Sequence, residues 1–303
     1  MTIAILMSTF NGHLYIDEQL KSIASQTLKN DIVLYVRDDG STDDTIKIIE
    51  RWKKKLNIII YKGKNIGPAK SFWELFMNLD IQADYYAFCD QDDIWDIDKI
   101  ERGVNSLKSH DNEAMLWCSN CRLIDGNDVV LEKQMYKESL QFSIVSQIVS
   151  GTIQGCAMLF NNCLRNYIYN KQITDFPMHD FVLITYAIAA GRVIYDETPA
   201  FSYRIHANNV VANRGKNRIQ RTLGSINKWF SKEHIYENSS FAKQILLDNE
   251  EYLDQETKSY INMVTHCKKN FINRIKIIKN PLSKTIYKDA ERSYKIRVFL
   301  GII

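Results

Sequence analysis

A mainly parallel β-sheet flanked by helices, an α/β fold, is what this sequence predicts, and three observations carry the prediction. In the first third of the chain, short β-branched or aromatic runs alternate with stretches of helical spacing, a βαβαβαβα order that implies parallel strands joined by helical crossovers. Three of those runs end in polar clusters, Ser8-Thr9-Phe10-Asn11-Gly12, Asp38-Asp39-Gly40-Ser41 and Asp90-Gln91-Asp92-Asp93, at the strand ends where an open α/β sheet binds its ligands. The 303 residues are 45% hydrophobic and 25% charged, with only 12 Gly and 4 Pro, enough to bury a core and to exclude collagen, a coiled-coil rod or a disordered tail.

The elements follow in order. Ile3 to Met7, Ile32 to Val36, Leu56 to Tyr61 and Tyr85 to Cys89 have strand length and strand composition; helices start near Leu14, Thr42, Ala69 and Asp98. The second helix has Ser41 or Thr42 as its N-cap, with Asp43 and Asp44 set against the positive end of the helix dipole. Between Met115 and Phe160 the strands shorten, and Asp125-Gly126 marks a tight turn. A helix around Phe181 to Ala190 and two strands, Arg192 to Tyr195 and Ala200 to Arg204, close this body. From about Gly215 the sequence is helical and rich in Lys, Asn and Ile, with few turn signals before Asn280-Pro281, and there is no internal repeat. The expected division is therefore a body over residues 1–212 and a basic helical region over 213–303.

Six scattered cysteines are too sparse for a disulfide scaffold and read as buried, reduced thiols of a cytosolic protein; the single CxxC, Cys118 and Cys121, lacks the second pair that a zinc site needs. No apolar run reaches the roughly 18 to 20 residues that cross a bilayer, and the N-terminus has no basic region before its apolar stretch, so the expectation is a protein neither secreted nor membrane-spanning. The net charge of +3 conceals an asymmetry: residues 1–213 carry 21 Lys and Arg against 27 Asp and Glu, whereas 214–303 carry 18 against 9. An acidic body argues against a nucleic-acid partner.

Capping accounts for Ser41 to Asp44 but not for Asp38 and Asp39, which precede it at a strand end, where a carboxylate accepts hydrogen bonds from a base or ribose edge. Asp90, Asp92 and Asp93 put three carboxylates within four residues, an arrangement that costs stability unless a cation sits among them, and oxygen ligands on a loop suit Mg²⁺ or Mn²⁺. His179-Asp180 opens an apolar helix after Pro177, which is consistent both with a dipole-facing Asp and with a site. Ending the last body strand, Tyr203-Arg204-Ile205-His206-Ala207-Asn208-Asn209 offers Arg204 to a phosphate and His206 either to a metal or to the core.

Taken in register, Ser8 to Gly12, Arg37 to Ser41, Asn65-Ile66-Gly67-Pro68-Ala69, Phe88-Cys89-Asp90-Gln91-Asp92-Asp93-Ile94-Trp95, Gly155-Cys156-Ala157, His179-Asp180 and Tyr203 to His206 resemble the inverting family 2 glycosyltransferases of GT-A fold. The Asp-Gln-Asp-Asp-x-Trp form is most similar to bacterial rhamnosyltransferases of surface polysaccharide synthesis, and the resemblance covers roughly residues 1 to 212. It implies a GT-A sheet with a C-terminal helical extension. It also implies a nucleotide-sugar donor, dTDP-L-rhamnose first and a UDP-hexose second, with Thr9, Asn11, Asp39, Gly67, Asp90, Gln91 and Arg204 on the donor side. Asp92 and His206 would hold Mn²⁺ or Mg²⁺, and Asp180 would be the base. Trp95, Gly155, Cys156 and His179 would face the acceptor, a saccharide or a polyprenyl-diphosphate-linked one. Where the family usually has Glu-Asp or Asp-Asp, this chain has His179-Asp180. The Gln-x-x-Arg-Trp motif of processive relatives is missing, so one sugar is expected per encounter.

A base opposite a metal-held leaving group fits a single in-line displacement. The competing classes are weaker: a nucleotidyltransferase wants a Gly-rich basic loop after the first strand, a dehydrogenase a GxGxxG, and an inactive sugar-nucleotide-binding or scaffold subunit would hydrolyse no donor. For residues 268–303, with ten Lys and Arg against two acids and apolar residues interleaved, two expectations stand. One is a helical cap packed on the body or on a homodimer partner. The other is a basic amphipathic surface at the anionic inner face of the cell membrane.

Overall fold

The computed structural model describes residues 1–110, 112–151, 153–206 and 238–303. Numbered in chain order, seven strands make the main sheet: β1 (Ile3–Thr9), β2 (Ile32–Asp38), β3 (Ile58–Lys62), β4 (Tyr85–Cys89), β6 (Met115–Ser119), β9 (Met158–Asn161) and β10 (Arg192–Asp196). Their order is β10-β6-β9-β4-β1-β2-β3, parallel at every pairing except the two that β9 makes. Central β1 is covered on both faces, so Ile3 to Met7 read as an unbroken apolar run and all five are fully buried. Helices α1 (Ile16–Ala24), α2 (Thr45–Trp52), α3 (Pro68–Met77), α4 (Lys99–Leu107), α5 (Ile144–Ser150), α6 (Asn162–Tyr169) and α7 (His179–Ala190) complete the body.

Register sets the site. Thr9 of β1 pairs with Asp38 of β2, and Met7 pairs with Cys89 of β4, so the loops after all three strands leave the sheet at one edge. A smaller sheet, β5 (Ile94–Trp95), β7 (Arg122–Ile124), β8 (Val130–Glu132) and β11 (Phe201–Arg204), has the order β5-β11-β7-β8. Its antiparallel β5/β11 pairing, Ser202 opposite Ile94, carries Arg204 and His206 back along the Asp90–Asp93 loop. Asp125 receives Asn127 N and Val129 N on one carboxylate oxygen and closes the β7–β8 hairpin expected at Asp125-Gly126.

Four further helices, α8 (Asn238–Asn249), α9 (Gln255–His266), α10 (Phe271–Lys279) and α11 (Lys288–Leu300), pack on the body. Phe241 meets Phe181 at 5.4 Å between ring centroids, the Tyr186 hydroxyl donates to Asp248 at 2.5 Å, and Tyr287 lies against Tyr136. Covered from this side as well as by the sheet, α7 can be apolar all round. Tyr260, Ile277, Tyr294 and Val298 are fully buried among the four helices.

Two expectations change. The second helix begins at Thr45, with Asp44 in the N-cap position, because Ser41 and Thr42 are committed elsewhere. Ser41 donates to Asp38 and accepts Asn11 N, while Thr42 N donates to Asn11 Oδ1; Asp43, not Ser41, receives Thr45 N at 2.9 Å. Five cysteines are buried, but Cys163 is half-buried. The boundary at residue 212, and Ala207 to Asn209, lie outside the described residues. No helix among those described is long and apolar enough to cross a membrane.

Candidate active site

A cavity of about 480 Å³ opens at the carboxyl ends of β1 and β4, closed on the far side by the first turn of α7 and by the end of β11. Its polar wall is the loop after β4. Asp90 and Asp92 face the cavity, whereas Asp93 turns inward and is fully buried. The three carboxylates therefore do not converge on one point. Asp93 accepts Arg204 N on Oδ1 at 3.2 Å, with the Cys156 thiol beside its carboxyl group. Burial, with the charge on Asp92, raises Asp90 to about 7 and pushes Asp93 well above the usual carboxylate range. Beneath them the Lys99 ammonium, 3.8 Å over the Trp95 ring, is lowered to about 8 by burial.

Asp92 and His206 meet: Nε2 of the imidazole is 2.7 Å from Asp92 Oδ2, and Tyr15 lies 5.0 Å from the His206 ring. Opposite them Asp180 accepts Phe181 N at 2.7 Å and Gly155 N at 3.1 Å, yet burial outweighs both bonds and raises it to about 6. His179 lines the same wall, 4% exposed, stacked on Phe72 at 4.1 Å and edge-on to Phe88 at 4.6 Å. Burial lowers its pKa to about 3, so the ring is neutral, and Nδ1 has no hydrogen-bond partner. Gly155 is needed where it stands, since a Cβ there would lie 2.7 Å from His179 Nε2.

Of the expected site residues, Asn11, Asp90, Gln91, Asp92, Gly155, His179, Asp180 and His206 line the cavity. The others stand behind it. Thr9 is buried and donates to Asp38 at 3.1 Å. Asp39, 2% exposed, accepts Arg37 Nη1, Ile66 N and Gly67 N, and Gly67, at φ +81°, turns the chain into α3. Trp95 and Cys156 are buried, so the expectation that they face an acceptor is corrected: Trp95 stacks under Lys99, and Cys156 lies within 4.8 Å of ligating atoms of Asp90 and Asp93. Arg204 is corrected too. It is 1% exposed and spends its guanidinium on Glu18, Asp128 and the Asp92 carbonyl, so it fixes the acidic loop instead of reaching a phosphate. Gln91 clasps the backbone of Phe10 with both ends of its amide, which is why Gly12 beneath that amide has no room for a Cβ.

Sequence reasoning missed Tyr15, Phe72, Gln154 and Met178, which also line the cavity, and quoted Tyr203 in a motif without giving it a role. Tyr203 alone had a signal, since it alternates with buried Arg204 along β11.

Three carboxylates line this cavity, and among the described lining residues there is no Lys or Arg. Such a wall favours a cation. The paired Asp92 oxygen and His206 nitrogen are donors suited to Mn²⁺ or Mg²⁺, while the ligating atoms of Asp90 group with those of Asp93 and Cys156, all within 4.8 Å of one another.

Comparison with known proteins bears on the family and the fold. The model of the family "Glycosyl transferase family 2" matches residues 4–168. The chain is 31% identical over 260 residues to the dTDP-rhamnosyl transferase RfbG of Shigella flexneri, spanning 80% of this chain and 87% of that protein. It is 26% identical over 271 residues to glycosyltransferase RP339 of Rickettsia prowazekii, spanning 85% and 82%. Among solved structures, Staphylococcus aureus TarS in complex with UDP-GlcNAc superposes with a TM-score of 0.64 at 16% identity, over 99% of this chain and 89% of that one. The mannosyltransferase PcManGT of Pyrobaculum calidifontis, solved with GDP-Man and Mn²⁺, gives a TM-score of 0.54 at 14% identity, over 98% and 86%. These likenesses fix the GT-A fold, and with the sequence matches they make this chain a glycosyltransferase and a member of glycosyl transferase family 2.

Proposed function

We propose that the enzyme transfers one sugar, with inversion and dependence on Mn²⁺ or Mg²⁺, from a nucleoside diphosphate to a saccharide or polyprenyl-diphosphate-linked saccharide in cell-surface polysaccharide synthesis. The observation that carries this reading is the cavity wall itself: Asp90, Asp92 and Asp180 without a lining Lys or Arg among the described residues. A diphosphate placed against those carboxylates meets repulsion unless a cation comes with it. Asp92 and His206 would hold that ion, which when bound neutralises the leaving diphosphate. Asp90 would bond the ribose and Asn11 would line the nucleotide pocket, and both line the cavity. Asp39 would bond the pyrimidine base, which has to reach it behind the cavity wall at the one of its roughly four acceptor positions that Arg37, Ile66 and Gly67 leave.

Asp180 takes the proton of the acceptor hydroxyl. As it does so, the acceptor oxygen bonds to the anomeric carbon, the bond from that carbon to the phosphate oxygen breaks, and the electron pair departs with the diphosphate. One displacement from the face opposite the leaving group inverts the anomeric centre. His179, neutral and on the cavity wall next to Asp180, would face the acceptor. Thr9, Gly67, Gln91, Trp95, Cys156 and Arg204 act by positioning these groups.

Rhamnose is the first choice of donor sugar because the relative at 31% identity is a dTDP-rhamnosyl transferase, and a UDP-hexose is the second. Turnover of dTDP-L-rhamnose, UDP-glucose and UDP-galactose on one acceptor, with Mn²⁺, with Mg²⁺ and in excess chelator, tests the reading. Full activity in chelator overturns the metal, and a clear preference for a UDP-hexose overturns the sugar.

A further inference from the structure

The last two helices end in a surface that the site does not use. Phe271 and Ile272 at the start of α10 are 58% and 65% exposed; Phe299 and Leu300 at the end of α11 are 51% and 47% exposed. The two pairs form one tip, since the Phe271 and Phe299 ring centroids are 6.2 Å apart. That tip is built. Arg274 donates to the carbonyls of Phe299, Cys267 and Lys268, tying α11 to α10, and Gly301 at φ +73° ends α11 against the Arg274 guanidinium, where a Cβ would collide. An arrangement that fixes four large apolar side chains in solvent costs solubility unless something covers them.

Charge says what covers them. On α10, Ile272, Lys276 and Lys279 are exposed at helical spacing along one face; on α11, Arg292, Ile296 and Phe299 are. Each helix therefore carries apolar side chains at the tip and cations one or two turns behind it, about 5 to 10 Å further back. No ion pair among the described residues engages Lys269, Lys276 or Lys279, and residues 268–303 hold ten Lys and Arg against two acids. A second copy is a poor occupant, because a two-fold contact sets this face against itself and brings the basic rims together.

We infer that this tip docks on an anionic bilayer, with Phe271, Ile272, Phe299 and Leu300 entering the interface and Lys269, Lys276, Lys279 and Arg292 meeting the lipid phosphates. The inference rests on the proposed lipid-linked acceptor only for its purpose; the docking itself is read from the surface and is tested without any transfer reaction.

Full-length protein is sedimented with vesicles of phosphatidylcholine alone and of equal parts phosphatidylcholine and phosphatidylglycerol, at low and high salt, with its mass followed by light scattering. Binding to the anionic vesicles should exceed binding to the neutral ones by about tenfold or more and should fade with salt. The Phe271→Ser/Phe299→Ser and Lys276→Glu/Lys279→Glu variants, altered only at exposed positions, should each lose most of it while still binding UDP or dTDP with Mn²⁺. Asp180→Asn should bind vesicles as the wild type does, which separates failure of docking from failure of the catalytic reading. Equal, weak binding to both vesicles at low salt overturns the inference, as does a dimer that Phe271→Ser/Phe299→Ser splits into monomers.

Discussion

Asp180 is a carboxyl group whose burial works against its ionisation, and its proposed role requires the ionised form. With its pKa near 6, turnover should fall as pH drops through about 6, since the protonated acid cannot accept the hydroxyl proton. Asp180→Asn should keep fold and donor binding while losing on the order of 10² to 10⁴ in turnover. Transfer within a few-fold of wild type would put the base elsewhere. His179 sharpens the same point. As a neutral ring it adds no charge beside Asp180, whereas His179→Glu would set a second carboxylate there and raise Asp180 further. The pH–rate limb of that variant should move to higher pH; a limb that stays in place would show that Asp180 is not the titrating group. The chemistry of these residues was legible in the sequence because carboxylates and histidine announce themselves by type. What was not legible is direction. Asp92 and Asp93 are neighbours, yet one faces the cavity and the other the core. Arg204 looked available to phosphate because nothing in its surroundings along the chain shows that Glu18 and Asp128 converge on it.

Elements carry those residues to the site, and the strands among them were the easiest to read. β1, β2 and β4 are buried on both faces, so their apolar runs stand out against the polar loops that follow. Helix starts were harder. Ser41 and Thr42 are good N-caps by composition, but the contact between the loops after β1 and β2 recruits them for Asp38 and Asn11, so the helix yields its first turn to tertiary structure. The antiparallel β9 was likewise invisible locally, since strand direction is not written in a four-residue run. Two glycines show how loops position α7 and α3 by different means. Gly155→Ala would press a methyl on the His179 ring and on Asp180 Cβ, at 2.7 and 3.3 Å, and should cost roughly 1 to 3 kcal/mol while also disturbing turnover. Gly67→Ala meets nothing within 4 Å but must hold φ at +81° with ψ at 159°, a conformation nearly confined to glycine, at a backbone cost of about 1 to 3 kcal/mol with no contact at the base. Denaturant unfolding of both, with donor binding measured alongside, should show comparable losses of stability and a loss of turnover larger for Gly155→Ala.

At the scale of the whole molecule, the sheet, its loops and the first turn of α7 assemble a cavity whose charge is the wrong sign for its proposed donor. The acidic body gathers Asp90, Asp92 and Asp180 on its wall, while the cations of the chain concentrate in its last ninety residues. Donor binding and metal binding should therefore be one thermodynamic event. Neither Mn²⁺ nor dTDP alone removes the other's unfavourable term: the ion alone meets few ligands, and the diphosphate alone meets carboxylates. Together they should stabilise the fold by about 2.7 kcal/mol when the nucleotide is present at a hundred times its dissociation constant. A thermal-shift series with Mn²⁺, with dTDP or UDP, and with both should show small shifts for each alone and a larger one for the pair. Asp92→Asn should abolish the excess, because it removes the negative charge and one carboxylate oxygen beside His206, whereas Asp180→Asn should leave it intact. If dTDP or UDP stabilises the protein as strongly in chelator as with Mn²⁺, the diphosphate is held by protein cations and the wall of carboxylates has another use.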